Sequence, residues 1–232
     1  MVNSKLAWMK SPWIRFLGFF TLSYFAFVIM FNVPAFESIV NIFFRNTSEL
    51  FLDTMLPDAK ITATIGHEND KRDVNVMAIN FTWTPEMIER IVEEAKAHRI
   101  ENISVPHRFV NYYLYQFFSV PLMFLLSLIF ATPLPIKDKI IALFIGFSSL
   151  WIFILVKLFL FVLFTISNAK IGIYELGESN MLALQTMANV LTLGVSILLA
   201  VVIWGLTSFR KSILFENIRS IFDSLQKIDN SQ

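Results

Sequence analysis

Apolar residues run along this chain in four long blocks separated by polar stretches. A helix needs about 20 mostly apolar residues to cross the hydrocarbon core of a bilayer. Residues 13–33, 109–132, 140–166 and 181–207 each meet that length and are predicted as transmembrane helices. Arg15 interrupts the first block close to its start, where its charged end can reach the interface. Lys157 interrupts the third near its middle. Basic residues precede the first block as they do in a secretory signal. Its apolar run is longer than a signal core, however, and no small-residue cleavage site follows, so it is read as a spanning anchor.

The polar stretch 34–108 carries patterns of its own. Residues 36–56 are rich in Ile, Phe and Leu with Glu49 and Asp53 among them, which predicts an amphipathic helix or helix pair lying on the membrane surface. Ile61, Ala63 and Ile65 alternate with threonines, and Val74, Val76 and Ala78 alternate after the polar run 67–72. That period of two predicts a pair of strands joined by a turn. Thr84 before Pro85 is a helix N-cap with proline at the first helical position. Ile88, Ile91, Val92 and Ala95 then form one apolar helix face. Residues 102–106 read as extended chain leading into the second block. In the tail, Leu214, Ile218, Ile221, Phe222, Leu225 and Ile228 share a face, which predicts a helix along lipid headgroups or against a partner. The fold class is therefore a mainly α membrane protein. It has four transmembrane helices, with a small α/β module between the first and second.

Composition strengthens this reading. Hydrophobic residues make up 56% of the 232, and charged residues 16%. A soluble domain carries about 45–50% and about 25% respectively. Charge then sets an orientation. Segments 1–12, 133–139 and 208–232, with Arg15, hold nine basic and four acidic residues; segments 34–108 and 167–180 hold nine basic and fourteen acidic. Lys5, Lys10, Arg15, Lys137, Lys139, Arg210 and Lys211 lie near helix ends on the first side. The positive-inside rule makes that side cytoplasmic, with both termini on it and the module facing outward. The expected location is a cell membrane crossed several times, the inner membrane if the source is bacterial. A net charge of +1 offers no field for nucleic acid. The absence of cysteine removes disulfides, thiolate metal sites and a cysteine nucleophile.

Candidate chemistry gathers at intramembrane polar residues. A lysine at mid-helix costs about 2.5–3.5 kcal/mol on insertion scales and often marks function. Measured from the ends of the predicted spans at about 1.5 Å per residue, Lys157 and Tyr24 lie roughly 14 Å deep, Asn189 roughly 12 Å and Gln116 roughly 10 Å. These four predict an interhelical layer in which Lys157 donates to Gln116, Asn189 and Tyr24. Such a layer can be packing glue at about 0.6–2 kcal/mol per hydrogen bond. It can also be a contact for a partner helix or, with less weight, a site for a lipid headgroup or a peptide. None of the four blocks contains an acid, so a partner subunit is expected to bring a carboxylate to Lys157. At the outer face, His107 and Arg108 stand beside Tyr112, Tyr113 and Tyr115, an aromatic belt, and Arg108 can pair with Glu175 and Glu178. His67, His98 and His107 have no metal-ligand spacing, and no nucleophile elbow, P-loop or dinucleotide glycine pattern is present. No catalytic residue, metal or cofactor is predicted.

The opening WIRFLGFFTLSYFAF, the lysine in LWIFILVKLF and the closing VVIWGLTSFRKSILFENI lie in a layout of one span, an outward module and three further spans. That layout resembles the small membrane proteins associated with exosortases. The resemblance implies an accessory role in processing or exporting bacterial surface proteins, among membrane lipid and other membrane subunits. Exosortases themselves use a catalytic cysteine, arginine and histidine, and this chain has no cysteine, so it is not such a peptidase. The layout is also similar to the membrane subunit of mechanotransmitting ABC systems. The loop 133–139 is short for a coupling helix, which counts against that alternative. A stand-alone transporter or membrane enzyme is disfavoured, since the spans contain no acidic relay and no inverted repeat is visible.

Overall fold

The structure, a computed structural model, describes residues 11–68, 71–98, 105, 107–212 and 214–216. The tail helix expected over residues 209–228 lies outside them beyond residue 216, as do 102–104 and 106 of the expected extended segment 102–106. The described chain forms two compact units, Met1–Val33 with Ser119–Ile152 and Gly194–Gln232, and Pro34–Phe118 with Phe153–Leu193. Among the described residues three helices are long and apolar enough to cross a membrane: Pro12–Phe31, Ile136–Asn168 and Leu193–Lys211. The protein is a multi-pass membrane protein by that measure.

The first unit is helical. Helix α1 (Pro12–Phe31) starts on a proline that needs no amide donor, and ends where the Asn32 side chain donates to the Val28 carbonyl at 2.7 Å. Helix α4 (Val120–Ala131) buries most of its residues. The first half of helix α5 (Ile136–Asn168) and helix α7 (Leu193–Thr207) pack on α4 through Gly146, where an added Cβ would stand 3.1 Å from Ile129 and 3.6 Å from Ile203. Phe16, Leu128, Ala131 and Leu214 form its core, ringed by Trp13, Phe20, Phe124, Trp204 and Phe209. The Trp204 indole donates to the Thr132 hydroxyl at 2.7 Å, and Lys139 donates to the Phe130 carbonyl at 2.9 Å, a cation at a helix C-terminus.

The second unit is the α/β module. Strands β1 (Ala59–Glu68) and β2 (Lys71–Trp83) form the expected hairpin, with a bulge between Ile65 and His67. Gly66 sits in that bulge, where a Cβ would lie 2.5 Å from Val76. Helix α2 (Pro34–Met55) covers β1 and brings Phe44 and Leu52 into the core, and Phe44 stacks on Phe118 at 4.8 Å. Helix α3 (Pro85–Ala97) begins as predicted, with the Thr84 hydroxyl accepting from the Met87 amide. The remainder of α5 buries Ile154, Leu158, Val162 and Ile166 along one face.

Two predicted spans take a different form. Residues 109–132 do not make one helix. Strand β3 (Arg108–Tyr113) pairs antiparallel with β2, and a π-helical turn (Tyr115–Ser119) leads into α4. The apolar alternation around Val110 and Tyr112 satisfies a sheet as well as a helix, and β2 offers a ladder. Residues 181–207 are two helices, α6 (Glu178–Val190) and α7. Leu191 between them has φ −74° and ψ 51°, and the Thr192 amide donates to the Val190 carbonyl at 2.7 Å, an inverse γ-turn. Asn189, Thr192 and Gly194 are weak helix formers clustered at that point. The loop before α5 is residues 132–135, shorter than the expected 133–139.

Candidate functional site

Lys157 remains the most informative residue, and its surroundings are assembled within the second unit. Its side chain is 3% exposed. Nζ donates to the Thr192 carbonyl at a long 3.4 Å and lies 4.5 Å from the centre of the Phe117 ring. The carbonyl belongs to the α6–α7 break, beside the negative end of the α6 dipole, which favours a cation. The ring contact adds about 0.5–2 kcal/mol.

A cavity of about 260 Å³ opens over this ammonium. Phe117, Phe161 and Leu191 make its apolar wall; Asn111, Gln116 and Thr192 are exposed polar residues at its rim. Lys157 is the one charged side chain among the described residues that line it. Tyr112 lies against Phe117 and Phe161 at ring separations of 5.6 and 6.4 Å. Its buried hydroxyl makes no hydrogen bond among the described residues, and burial pushes its pKa up. The Thr165 hydroxyl lies near enough to oppose that rise, but it donates its own proton to the Phe161 carbonyl at 2.8 Å, and the two hydroxyls do not reach bonding geometry.

Of the predicted layer, Gln116 and Lys157 share this cavity, with no hydrogen bond between them among the described residues. Asn189 is an exposed residue of α6 and does not bond to Lys157. Tyr24 belongs to the helical unit, where its ring packs against Phe20 and Phe124 at 6.2 and 6.4 Å. His107 and Arg108 are exposed at the start of β3, and Glu175 and Glu178 are exposed at the start of α6 and just before it. No ion pair joins Arg108 to either glutamate among the described residues. In the helical unit Lys211 and Asp138 form a bridge at 4.0 Å, exposed and worth little. Sequence reasoning missed Phe117 and the Thr192 carbonyl. The cluster Asn189, Thr192, Gly194 was the available signal for the second, since interrupted apolar segments point to binding sites.

A second cavity, about 460 Å³, lies between Asp58, Glu86, Arg90 and Tyr174. Its floor is a loop with Lys170, Gly172 and Tyr174 at φ 49°, 78° and 49°. The Trp83 indole holds this loop by donating to the Ile171 carbonyl at 2.7 Å, and the Asp58 amide donates to the Tyr174 hydroxyl at 3.0 Å. Among the described residues no group of His, Cys, Asp and Glu is arranged to hold a metal ion. In comparisons with known proteins, no family model matches this chain, and no curated protein or solved structure matches it significantly.

Proposed function

We propose that the chain is a non-catalytic, four-span membrane subunit or assembly factor of a larger cell-envelope complex, serving the processing or export of surface proteins. The observation that carries this reading is the unequal treatment of the two sheet edges. On β1 the outward-facing Ala63 amide donates to the Glu49 carboxylate at 3.0 Å, so α2 seals that edge. Backbone groups alternate in direction along an antiparallel ladder. With Ala63 facing out, the register turns the backbone of Phe109, Asn111 and Tyr113 outward on β3. Among the described residues β3 pairs with a strand on one side alone, β2, and stands at the edge of the sheet. Phe109 and Tyr113 are 64% and 51% exposed beside that edge. An open edge flanked by large apolar side chains is a template for strand addition by another chain.

Helix lengths support four crossings. The apolar helix Tyr115–Ala131 runs about 26 Å, Leu193–Lys211 about 28 Å, and the stretch of α5 from Ile136 to Lys157 about 32 Å. Each is close to the hydrocarbon thickness of about 30 Å, as is α1 at about 30 Å. Sheet edges are excluded from lipid, so the module is assigned outside the hydrocarbon.

Purification in mild detergent followed by identification of bound chains tests the subunit reading. Other membrane chains are expected to co-purify, and Phe109→Pro, which removes an outward amide, is expected to release them. Recovery of the wild-type chain alone overturns it, and a bound ATPase moves the assignment to the ABC alternative. The chain has no cysteine, so single cysteines can be introduced at will. Glu175→Cys is expected to label from outside the cell and Lys137→Cys from inside. The reverse pattern overturns the orientation.

A further inference from the structure

We infer that the first turns of α2 lie in the membrane interface, with the exposed stripe Ala35, Ile39, Ile42 and Phe43 seated against lipid acyl chains just below the headgroups. Chain length is the first support. Helix α1 runs about 30 Å, the thickness of the hydrocarbon, so Phe31 lies at its boundary. The Val33 amide donates to the Met30 carbonyl at 3.1 Å, so the chain turns without leaving the end of α1, and α2 starts on the next residue, Pro34. Whatever direction α2 then takes, Ile39 is about 8 Å along it and Ile42 about 12 Å. The headgroup layer is about 5–8 Å deep on each side of the bilayer. An upright helix lifts Ile42 clear of that layer into water. A helix lying in the plane keeps both isoleucines within it.

The second support is how exposed polarity changes along α2. In residues 34–43 every exposed side chain is apolar: Pro34, Ala35, Ile39 at 66%, Ile42 at 48%, and Phe43. Beyond them the exposed positions are Asn46, Leu50, Asp53, Thr54 and Met55, three of the five polar. The opposite face, with Asn41, Phe44, Ser48 and Leu52, is buried on the side of the sheet. Large apolar side chains are thus concentrated at the end of α2 that the chain ties to the membrane, and polar ones at the end that it does not. An apolar helix face settles about 5–10 Å into the boundary between headgroups and acyl chains, driven by the area it removes from water. Four partly exposed side chains fall well short of the roughly 800 Å² per partner of a stable protein interface, which favours lipid over a second copy of the chain. Lipid then supplies the outer half of the packing of α2, and the module is steadied on the bilayer by its own first helix.

The test exploits the absence of cysteine. The full-length chain carries a nitroxide at Ile39→Cys, Ile42→Cys, Asp53→Cys or Leu22→Cys, one at a time, in vesicles of phosphatidylcholine and phosphatidylglycerol. Collisional relaxation by oxygen reports lipid, and relaxation by a water-soluble nickel chelate reports water. Leu22, 68% exposed in the middle of α1, is the lipid reference, and exposed Asp53 the water reference. Positions 39 and 42 are expected to give an oxygen-to-nickel ratio several-fold above that at 53 and approaching that at 22. Ile42→Glu is expected to lower the ratio at 39 several-fold, toward the value at 53. All of these positions are exposed, so the substitutions leave the buried core intact. A ratio at 39 or 42 equal to that at 53 overturns the inference. Labels at 39 and 42 shielded from both reagents also overturn it and assign the stripe to a protein contact, a second copy where the labels couple between molecules. A water-like ratio at 22 overturns the α1 span on which the inference stands, so the two failures are told apart.

Discussion

The two units of this protein sort their side chains by opposite rules. In the helical unit, α1 turns Leu17, Phe19, Leu22, Phe25 and Ile29 outward and keeps Phe16 and Phe31 in. Most large side chains on α1 are apolar, so which of them go inside is decided by shape, with Trp204, Phe16 and Phe209 meeting at 5.0–5.6 Å. In the α/β unit, α2 buries Asn41 and Ser48 along with Phe44 and Leu52, while Ile39, Ile42, Phe43 and Leu50 are exposed. Asn41 is matched by Asn75 of β2 at 3.4 Å, and the Ser48 hydroxyl has no partner among the described residues. Lipid tolerates apolar residues on the outside, and the face of α2 against the sheet takes small polar side chains inside. The contrast marks which surfaces face hydrocarbon or another chain.

The sharpest way to break this contrast is to hollow one core and watch the other. Phe44→Ala removes the ring stacked on Phe118 and is expected to cost about 3–5 kcal/mol. Hydrogen exchange should rise across β1 and β2 and stay low in α4. Loss of protection in both units at once would show that they are one cooperative body.

The strand pair and the α3 start were legible because alternation and the Thr84-Pro85 cap are local signals. The first and third spans were legible from length and hydropathy alone. What could not be read was β3. Phe109 to Tyr113 looks like the first turn of a span until β2 supplies a partner, and strand pairing is a non-local choice. Lys157 was singled out from sequence, but the carbonyl it donates to lies at a helix break whose only signal was the weak helix formers Asn189, Thr192 and Gly194.

Two smaller substitutions refine the comparison. Gly66→Ala forces a methyl to 2.5 Å from Val76 and is expected to destabilise the hairpin by about 1–3 kcal/mol, read as faster exchange over β1 and β2. In the helical unit, Thr132→Val strands the Trp204 indole N–H and is expected to cost about 1–3 kcal/mol in thermal unfolding, with a change in tryptophan fluorescence. An unchanged spectrum would mean that water already solvates that indole. Lys170→Gly is expected to act in the other direction. Its φ of 49° suits glycine, and relief of the left-handed strain is expected to raise stability by about 1 kcal/mol, seen as a higher midpoint.

The reversed packing of α2 has a practical corollary for anyone who wishes to study the sheet by itself. A fragment spanning residues 34–118 would carry Ile39, Phe43 and Leu50 into water with neither acyl chains nor a neighbour to shield them. It would also lack the α5 turns that fill its centre. Such a fragment is expected to clump unless detergent is present from the moment of synthesis.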